Sequence, residues 1–223
     1  MHPRRSRSKP LKRRVARRPE LRTVVIFCEG KNSEPDYMNG IKQVPEIAAS
    51  TALNIEIDPE QGVPLTLVKR AADRLRQEEI DECWCLFDVE WPKNHPNLKE
   101  AISLAEGEGV NVAVSNPCFE IWLLLHYKAY TRFVNNDEAE RLSKACDGRG
   151  GKSVNAADYV SKRKEACKRA ASLDKRHAAN GTEFPHNNPS SGMYRLLDSL
   201  DRSCTSEPSS MGVNTRRTRS GGT

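Results

Sequence analysis

The fold is decided by residues 21–37, which read Leu-Arg-Thr-Val-Val-Ile-Phe-Cys-Glu-Gly-Lys-Asn-Ser-Glu-Pro-Asp-Tyr. Residues 23–28 form an unbroken run of β-branched, aromatic and other apolar side chains, which is typical of a strand covered on both faces in a parallel sheet. Gly30 permits a turn, and the Ser-Glu-Pro at 33–35 predicts the start of a helix. Glu29 is therefore expected at the carboxyl end of the first strand, where open α/β sheets place their chemistry. A solvated turn residue is an equally good interpretation of this glutamate when the stretch is taken alone.

Strand-like and helix-like segments alternate along the next hundred residues. Apolar or alternating runs predict strands at about 53–58, 83–87 and 110–114, and helices at about 35–43, 64–79, 98–106 and 118–127. This order implies an α/β fold with a mostly parallel sheet of about four strands flanked by helices. The Ser-Asn-Pro at 115–117 predicts an N-cap with proline at the first helical position. Beyond residue 131 the strand-like runs disappear, and helices near 137–146, 154–177 and 190–202 predict a C-terminal helical extension.

Basic residues are concentrated at the N-terminus. The chain holds 36 Lys and Arg against 30 Asp and Glu, and residues 1–22 contain ten of the basic residues and one acid. This arm has a charge of about +9, so the remainder of the chain is slightly acidic. We expect the arm to be disordered alone and to contact nucleic-acid phosphates, with Arg13, Arg14, Arg17 and Arg18 among its contacts. A solubilising leader without a specific partner is the alternative.

Cysteine usage and hydropathy indicate the compartment. The seven cysteines are scattered without a C-x-x-C pair, which favours free thiols in a reducing cytoplasm and no structural zinc. No apolar run reaches the roughly 18 to 20 residues that span a bilayer, and the basic N-terminus leads into no long apolar region. We therefore expect a cytoplasmic protein without a membrane segment. Four segments are predicted: the arm at 1–22, an α/β domain at 23–130, the helical extension at 131–204 and a disordered polar tail at 205–223.

Acidic side chains fall at equivalent positions of the predicted sheet. Glu29 follows the first strand, Asp88 and Glu90 follow the third, and Glu120 lies in the first turn of the helix after the fourth. Because the carboxyl ends of parallel strands share one edge of a sheet, these side chains could converge. Residues i and i+2 at a strand end point the same way, so Asp88 and Glu90 could hold one ion between them. Hard oxygen ligands suit Mg²⁺ or Mn²⁺, and a divalent cation removes the repulsion between close carboxylates. Each acid taken alone is better explained as a helix cap or a solvated turn.

Four stretches of the chain resemble the RloB-like family. They are Cys-Glu-Gly-Lys-Asn-Ser-Glu-Pro-Asp-Tyr at 28–37, Phe-Asp-Val-Glu at 87–90, Ser-Asn-Pro-Cys-Phe-Glu-Ile-Trp-Leu-Leu-Leu-His-Tyr at 115–127 and Asn-Pro-Ser-Ser-Gly-Met-Tyr-Arg-Leu at 188–196. The resemblance covers about residues 22–202. RloB-like proteins are similar to Toprim domains, the catalytic α/β module of topoisomerases, primases and OLD-type nucleases. They are often encoded beside an ABC-type ATPase in restriction or phage-defence loci.

The resemblance implies a Toprim-like fold and a metal-dependent nuclease. Glu29 would be the Toprim glutamate, acting in proton transfer or as a metal ligand, and Asp88 with Glu90 would hold Mg²⁺ or Mn²⁺ against a phosphodiester. Glu34 and Glu120 would complete the acidic cluster as catalytic groups. The chain has Asp-Val-Glu where the family usually has Asp-x-Asp, and the longer glutamate changes the expected metal geometry. An ABC-type ATPase is the implied partner, in antiviral defence.

Three further features of the sequence bear on binding and catalysis. Lys31 could contact a phosphate, although a turn lysine often has no specific role. His126 is predicted to be a buried, hydrogen-bonded histidine rather than a catalytic base. The Gly-Gly-Lys-Ser at 150–153 resembles the end of a P-loop, but Cys146 stands where the first glycine belongs and no strand precedes it, so we predict no nucleotide binding there.

Two functions without catalysis compete with the nuclease. One is a nucleic-acid-binding protein whose basic arm makes the contacts, and the other is a defence component that binds its partner and has lost activity. The choice between DNA and RNA, the trigger, the oligomeric state and the identity of the partner remain open, because both nucleic acids present phosphodiesters and no base-reading motif is recognisable.

Overall fold

The computed structural model describes residues 21–57, 63–77 and 79–202 of the chain. In chain order the elements are β1 (Arg22–Cys28), α1 (Ser33–Lys42), α2 (Pro45–Ser50), β2 (Thr51–Ile57), α3 (Pro64–Gln77), β3 (Glu82–Asp88), α4 (Leu98–Glu108), β4 (Asn111–Asn116), α5 (Glu120–Tyr127), α6 (Asn136–Asp147), α7 (Ala157–Val160), α8 (Arg163–Ala179), β5 (Ser190–Ser191) and α9 (Met193–Arg202). The predicted α/β fold, with a mostly parallel sheet flanked by helices and helices at the C-terminal end, is confirmed.

The described strands form one five-stranded sheet in the order β2-β1-β3-β4-β5. The strands β1 to β4 pair in parallel, with Cys28 opposite Leu86 and Asp88 opposite Ser115. The alternating β2 lies at the edge of the sheet, as its one-sided pattern predicts, whereas the wholly apolar β1 and β3 lie at the centre. All four parallel strands therefore end at the same edge of the sheet, and the residues that follow them meet there.

Apolar side chains cover both faces of the sheet. Val24, Ile26 and Cys28 of β1 face a core built with α1, α2, α5, α8 and α9. Val25 and Phe27 face a second core built with α3 and α4. Successive residues of a strand point to opposite faces, so a strand buried on both sides has to be apolar throughout.

Some local predictions are wrong. Residues 190–191, predicted to be helical, form the short antiparallel strand β5 on Ser115 and Asn116, and α9 begins at Met193. A helix predicted over 154–177 is two helices, α7 and α8, and α2 was not predicted.

The predicted cap at 115–117 is also wrong. Ser115 and Asn116 belong to β4, and α5 begins only at Glu120. The side-chain amide of Asn116 instead donates to the Pro185 carbonyl oxygen at 2.8 Å and to Asn187 Oδ1 at 3.1 Å. This polar side chain therefore ties the loop before β5 to the end of β4. None of the helices in the described ranges is both long and apolar enough to cross a bilayer.

Candidate active site

An acidic cleft lies at the edge of the sheet where the parallel strands end. It encloses about 390 Å³ between the loops after β1 and β3 and the start of α5. Six carboxylates, one imidazole, two lysines, two amides and four other residues line it: Glu29, Glu34, Asp88, Glu90, Glu120, Glu140, His95, Lys31, Lys152, Asn32, Asn136, Gly30, Ser33, Cys118 and Phe119. The five acids proposed from the sequence thus line one cleft.

Glu29 is held by bonds on both of its carboxylate oxygens. Its backbone N–H donates to the Leu86 carbonyl oxygen at 3.1 Å, which continues the β1–β3 pairing one residue past the strand. Its Oε2 accepts from the backbone N–H of Asp88 at 3.2 Å, and its Oε1 lies 2.9 Å from Nε2 of His95. With 9% of its surface exposed, Glu29 is a fixed, buried carboxylate rather than a solvated turn residue.

Asp88 lies at the end of the central strand β3 and is surrounded by the other acids of the cleft. It is the last residue of β3. Burial raises its pKa well above the usual range, and the negative charges of Glu34, Glu120, Glu29 and Glu90 add to this rise in that order. Glu34 and Glu120 therefore act on Asp88 more strongly than Glu90, its expected partner, does. This arrangement favours either a retained proton or a bound cation in the cleft.

Glu34 lies in the first turn of α1, under the loop that leaves β1. Its side chain is 6% exposed, and burial together with Glu120 and Glu29 raises its pKa to about 7. Gly30 makes this position possible, because a Cβ added there would overlap the Glu34 carboxylate. The glycine predicted only as a turn residue therefore has a second role, which is to leave space for a buried acid.

Glu120 is joined to α1 through Ser33. The Ser33 hydroxyl lies 3.3 Å from Glu120 Oε1 and donates to the Lys152 carbonyl oxygen at 2.9 Å. Asp36, one turn along α1, accepts from Ser153 Oγ at 2.6 Å and from the Val154 N–H at 2.9 Å. These bonds fasten the loop at 150–154 over the cleft. This loop is the one whose sequence resembles the end of a P-loop, and it contributes Lys152 to the lining of the cleft.

Glu90 lies just beyond the end of β3. β3 ends at Asp88, and Glu90 has a φ of 69°, so Glu90 lies beyond the strand on a backbone that has begun to turn, while both acids still line the same cleft. Its N–H donates to the Pro117 carbonyl oxygen at 2.8 Å, and its Oε2 accepts a short hydrogen bond from the Asn136 side chain. Burial raises the pKa of Glu90, while His95 and the bond from Asn136 oppose that rise. Glu90 lines the cleft as one wall, engaged with α6.

His95, Asn136 and Lys152 were missed by the sequence analysis. His95 lies within the Pro/Asn-rich loop at 91–97, and its N–H donates to the Val89 carbonyl oxygen at 3.1 Å, which folds the loop back onto the strand end. Its hydrogen bond to Glu29 raises the pKa of the imidazole, with the charges of Glu29 and Glu90 adding to the effect and burial opposing it. A histidine in the loop after a chemistry-bearing strand is the one signal that could have pointed to it.

Two exposed lysines, Lys31 and Lys152, border the acids. The prediction that Lys31 is available to a phosphate is compatible with this position and stays a prediction. Arg13, Arg14, Arg17 and Arg18 lie outside the described residues, as does the tail at 205–223.

The donor set of the cleft suits a hard divalent cation. Several carboxylates face each other in a partly buried space, and the raised pKa values of Asp88 and Glu34 reflect the cost of ionising them together. Within the described ranges, no three His, Cys, Asp or Glu side chains stand together at metal-ligand positions. The suitability of the cleft for a cation therefore rests on the oxygen chemistry and negative charge of its carboxylates, not on an assembled ligand geometry.

His126 is a core residue, as predicted. It is 2% exposed, its Nδ1 lies 2.9 Å from the Trp122 carbonyl oxygen, and its Nε2 lies 3.2 Å from the Tyr37 hydroxyl. Burial lowers its pKa to about 4. A neutral imidazole packed edge-on against Tyr37, Trp122 and Tyr159 belongs to the aromatic core beneath the cleft.

Comparison with known proteins agrees with the resemblance in the four sequence stretches. Neither a search of curated proteins nor a search of solved structures found a match. The family model described as "RloB-like protein" matches residues 24–200, which span β1 to α9 and include every described residue of the acidic cleft. The chain belongs to the RloB-like family.

Proposed function

We propose that the chain is a metal-dependent nuclease that hydrolyses DNA or RNA phosphodiesters in the acidic cleft. The observation that carries the proposal is the convergence of Glu29, Glu34, Asp88, Glu90 and Glu120 on the edge where the parallel strands end. Open α/β sheets bind their ligands at this edge. Neighbouring carboxylates raise the pKa values of Glu34, Asp88 and Glu90, and such a group is expensive to ionise without a cation, so the charge pattern supports a metal site more readily than a purely structural role.

Asp88, Glu34 and Glu120 are the residues we expect to hold the metal. The charges of Glu34 and Glu120 contribute most, after burial, to the raised pKa of Asp88, and Glu120 also raises the pKa of Glu34. A bound Mg²⁺ or Mn²⁺ would neutralise phosphate charge and polarise the phosphorus–oxygen bonds. Glu29 and Glu90 are more restricted, since Glu29 is engaged on both oxygens and Glu90 accepts a short hydrogen bond from Asn136, whereas the bond from Ser33 to Glu120 is longer, at 3.3 Å. This ordering differs from the Asp88 and Glu90 pair expected from the sequence.

Glu29 and His95 form the proton-handling part of the proposed site. Hydrolysis requires a water oxygen to bond to phosphorus, the bond to one ester oxygen to break and the water proton to be removed. Glu29 is a carboxylate whose two oxygens have fixed directions, and its contact with Nε2 of His95 lets a proton pass between the two groups. Lys31 and Lys152 would attract the backbone phosphates on either side.

A role in phage defence, with an ABC-type ATPase as partner, is the setting we propose from family membership. A nuclease whose activity is controlled by its partner would keep all five proposed acids in the cleft, as this chain does. The basic arm would then hold nucleic acid near the site.

The proposal is tested by incubating the purified chain with single-stranded DNA, duplex DNA and total RNA in Mg²⁺, Mn²⁺ or a chelator. We expect cleavage that needs metal and is lost in Asp88→Asn, which removes the charge but keeps the side-chain shape. Asp158→Asn, at an exposed carboxylate of α7 outside the cleft, is the matched control and should retain activity. Absence of metal-dependent cleavage both alone and with the neighbouring ATPase would overturn the proposal in favour of a non-catalytic nucleic-acid-binding or partner-binding protein.

A further inference from the structure

An exposed pair of aromatic rings stands beside the acidic cleft. Trp91 is 41% exposed and Phe133 is 56% exposed, and their ring centroids lie 5.3 Å apart in an edge-to-face arrangement. The other large hydrophobic residues exposed in the described ranges, Leu21, Ile57 and Val63, are aliphatic. Two aromatic side chains left in solvent and touching each other are a surface feature that neither core packing nor the proposed catalytic groups explain.

The pair is connected directly to the cleft wall. Trp91 follows Glu90 in the chain, so their Cα atoms are separated by about 3.8 Å. The Trp91 N–H donates to Asn136 Oδ1 at 3.0 Å, and the amide nitrogen of the same Asn136 donates to Glu90. One asparagine therefore fixes both the cleft acid and the first of the two rings.

The second ring is also held on a fixed backbone. Phe133 precedes Val134, which is fully buried. The Val134 N–H donates to Asn188 Oδ1 at 3.1 Å, and the Val134 carbonyl oxygen accepts from Asn188 Nδ2 at 2.9 Å. Since both rings are exposed while the backbone beneath them is anchored, the pair is a preorganised platform rather than two loose loop side chains.

We propose that Trp91 and Phe133 form a stacking platform for an unpaired nucleobase, so that the proposed nuclease acts on single-stranded nucleic acid or on unpaired regions. The inference rests on the proposed function of the cleft. Exposed aromatic rings beside phosphate-attracting groups bind single strands, because every unpaired base presents a face on which a ring can stack. In a duplex those faces are covered by neighbouring bases.

The chemistry of the surroundings favours a base over a protein surface. The platform consists of two aromatic rings, and it is joined through Asn136 to a cleft that carries Lys31 and Lys152. Base and phosphate of one nucleotide are joined through a single sugar. A base stacked on Trp91 would therefore leave its phosphodiester within reach of the cleft wall at Glu90.

Binding is measured without cleavage, with a chelator present, by fluorescence anisotropy of a labelled short oligothymidylate, a labelled oligouridylate and a duplex of equal length. Tryptophan emission provides a second readout, because Trp84 and Trp122 are buried and Trp91 is the exposed tryptophan of the chain's three. We expect the single strands to quench this emission and the duplex to leave it unchanged. Trp91→Ala should weaken single-strand binding about 5- to 100-fold.

Two further variants keep the test specific. Trp91→Phe retains an aromatic face and should bind single strands within about threefold of the wild type, since stacking tolerates either ring. Leu21→Ala changes an equally exposed residue before β1, at the opposite end of the sheet, and should have no effect. Unchanged binding in Trp91→Ala would overturn the platform, because contact through the basic arm alone does not depend on this ring. A wild-type dimer that Trp91→Ala separates would overturn it too, since a second copy would then cover the rings.

Failure of the platform and failure of the nuclease are distinguishable. If the protein cleaves in Mg²⁺ but Trp91→Ala binds single strands as tightly as the wild type, the platform is rejected and the nuclease is kept. Single-strand binding that depends on Trp91, with no metal-dependent cleavage, would keep the platform and reject the nuclease.

Discussion

Replacing Glu34 by glutamine is expected to stabilise the metal-free protein at alkaline pH. The Glu34 side chain is buried, and its pKa rises from 4.5 to about 7 in the folded chain. Each pKa unit corresponds to about 1.4 kcal/mol, so ionisation of this group costs the folded state about 3 kcal/mol once the pH is well above 7. A neutral amide of the same shape does not carry this cost.

The sign of the pH dependence follows from the raised pKa. A carboxyl whose folded pKa exceeds its unfolded pKa favours the folded state at low pH, and that stability is lost as the pH rises from about 4.5 through about 7. Wild type and Glu34→Gln should therefore have similar free energies of unfolding at pH 4.5. At pH 8.5 the variant should be more stable by about 2 to 3 kcal/mol.

Urea unfolding in a chelating buffer across this pH range measures the difference directly. Glu100→Gln, at an exposed carboxylate in the first turn of α4, is the matched control and should follow the wild type at every pH. The reasoning would be refuted if the difference in free energy of unfolding between wild type and Glu34→Gln did not change with pH. Such a result would mean that the pKa of Glu34 is not raised in the folded protein.

Three further predictions concern the same cleft. Mg²⁺ at 100 times its Kd should raise the free energy of unfolding at pH 8 by about 2.7 kcal/mol, measured by urea titration. Asp88→Asn should lose most of this gain. An equal gain in both proteins would mean that the ion binds outside the cleft. His95→Ala removes the hydrogen-bond partner of Glu29 and should lower the rate of metal-dependent cleavage by about 10- to 100-fold. An unchanged rate would show that His95 does not position Glu29. Gly30→Ala should destabilise the fold by about 1 to 3 kcal/mol, because the added Cβ overlaps the Glu34 carboxylate. The same substitution should cost much less in a chain that also carries Glu34→Ala. An equal cost with Glu34 present and with Glu34→Ala would contradict the overlap.

Much of the site could be predicted because its acids are attached to strands. The apolar runs that became β1 and β3 identified Glu29 and Asp88 as residues at strand ends, and parallel pairing then brought them to one edge. Glu120 was located in the same way, by its place in the helix after β4. These predictions needed only local patterns and the rule that links parallel strands.

Other parts of the site depend on the path of the loops. The positive φ at Glu90 is a property of the folded loop that residue types alone did not reveal. Lys152 reaches the cleft through its bond with Ser33, 119 residues earlier in the chain. Non-local contacts of this kind leave no periodic signal in a sequence.

The sequence by itself determined the α/β fold, the parallel strands and the edge at which the acids would lie, because hydrophobic periodicity and strand pairing are read from neighbouring residues. Only the tertiary structure decided that the charges of Glu34 and Glu120 act on Asp88, that His95 contacts Glu29, and that Trp91 and Phe133 remain exposed beside the cleft. Burial and the distances between charges set pKa values and ring exposure, and both arise only when distant segments pack together.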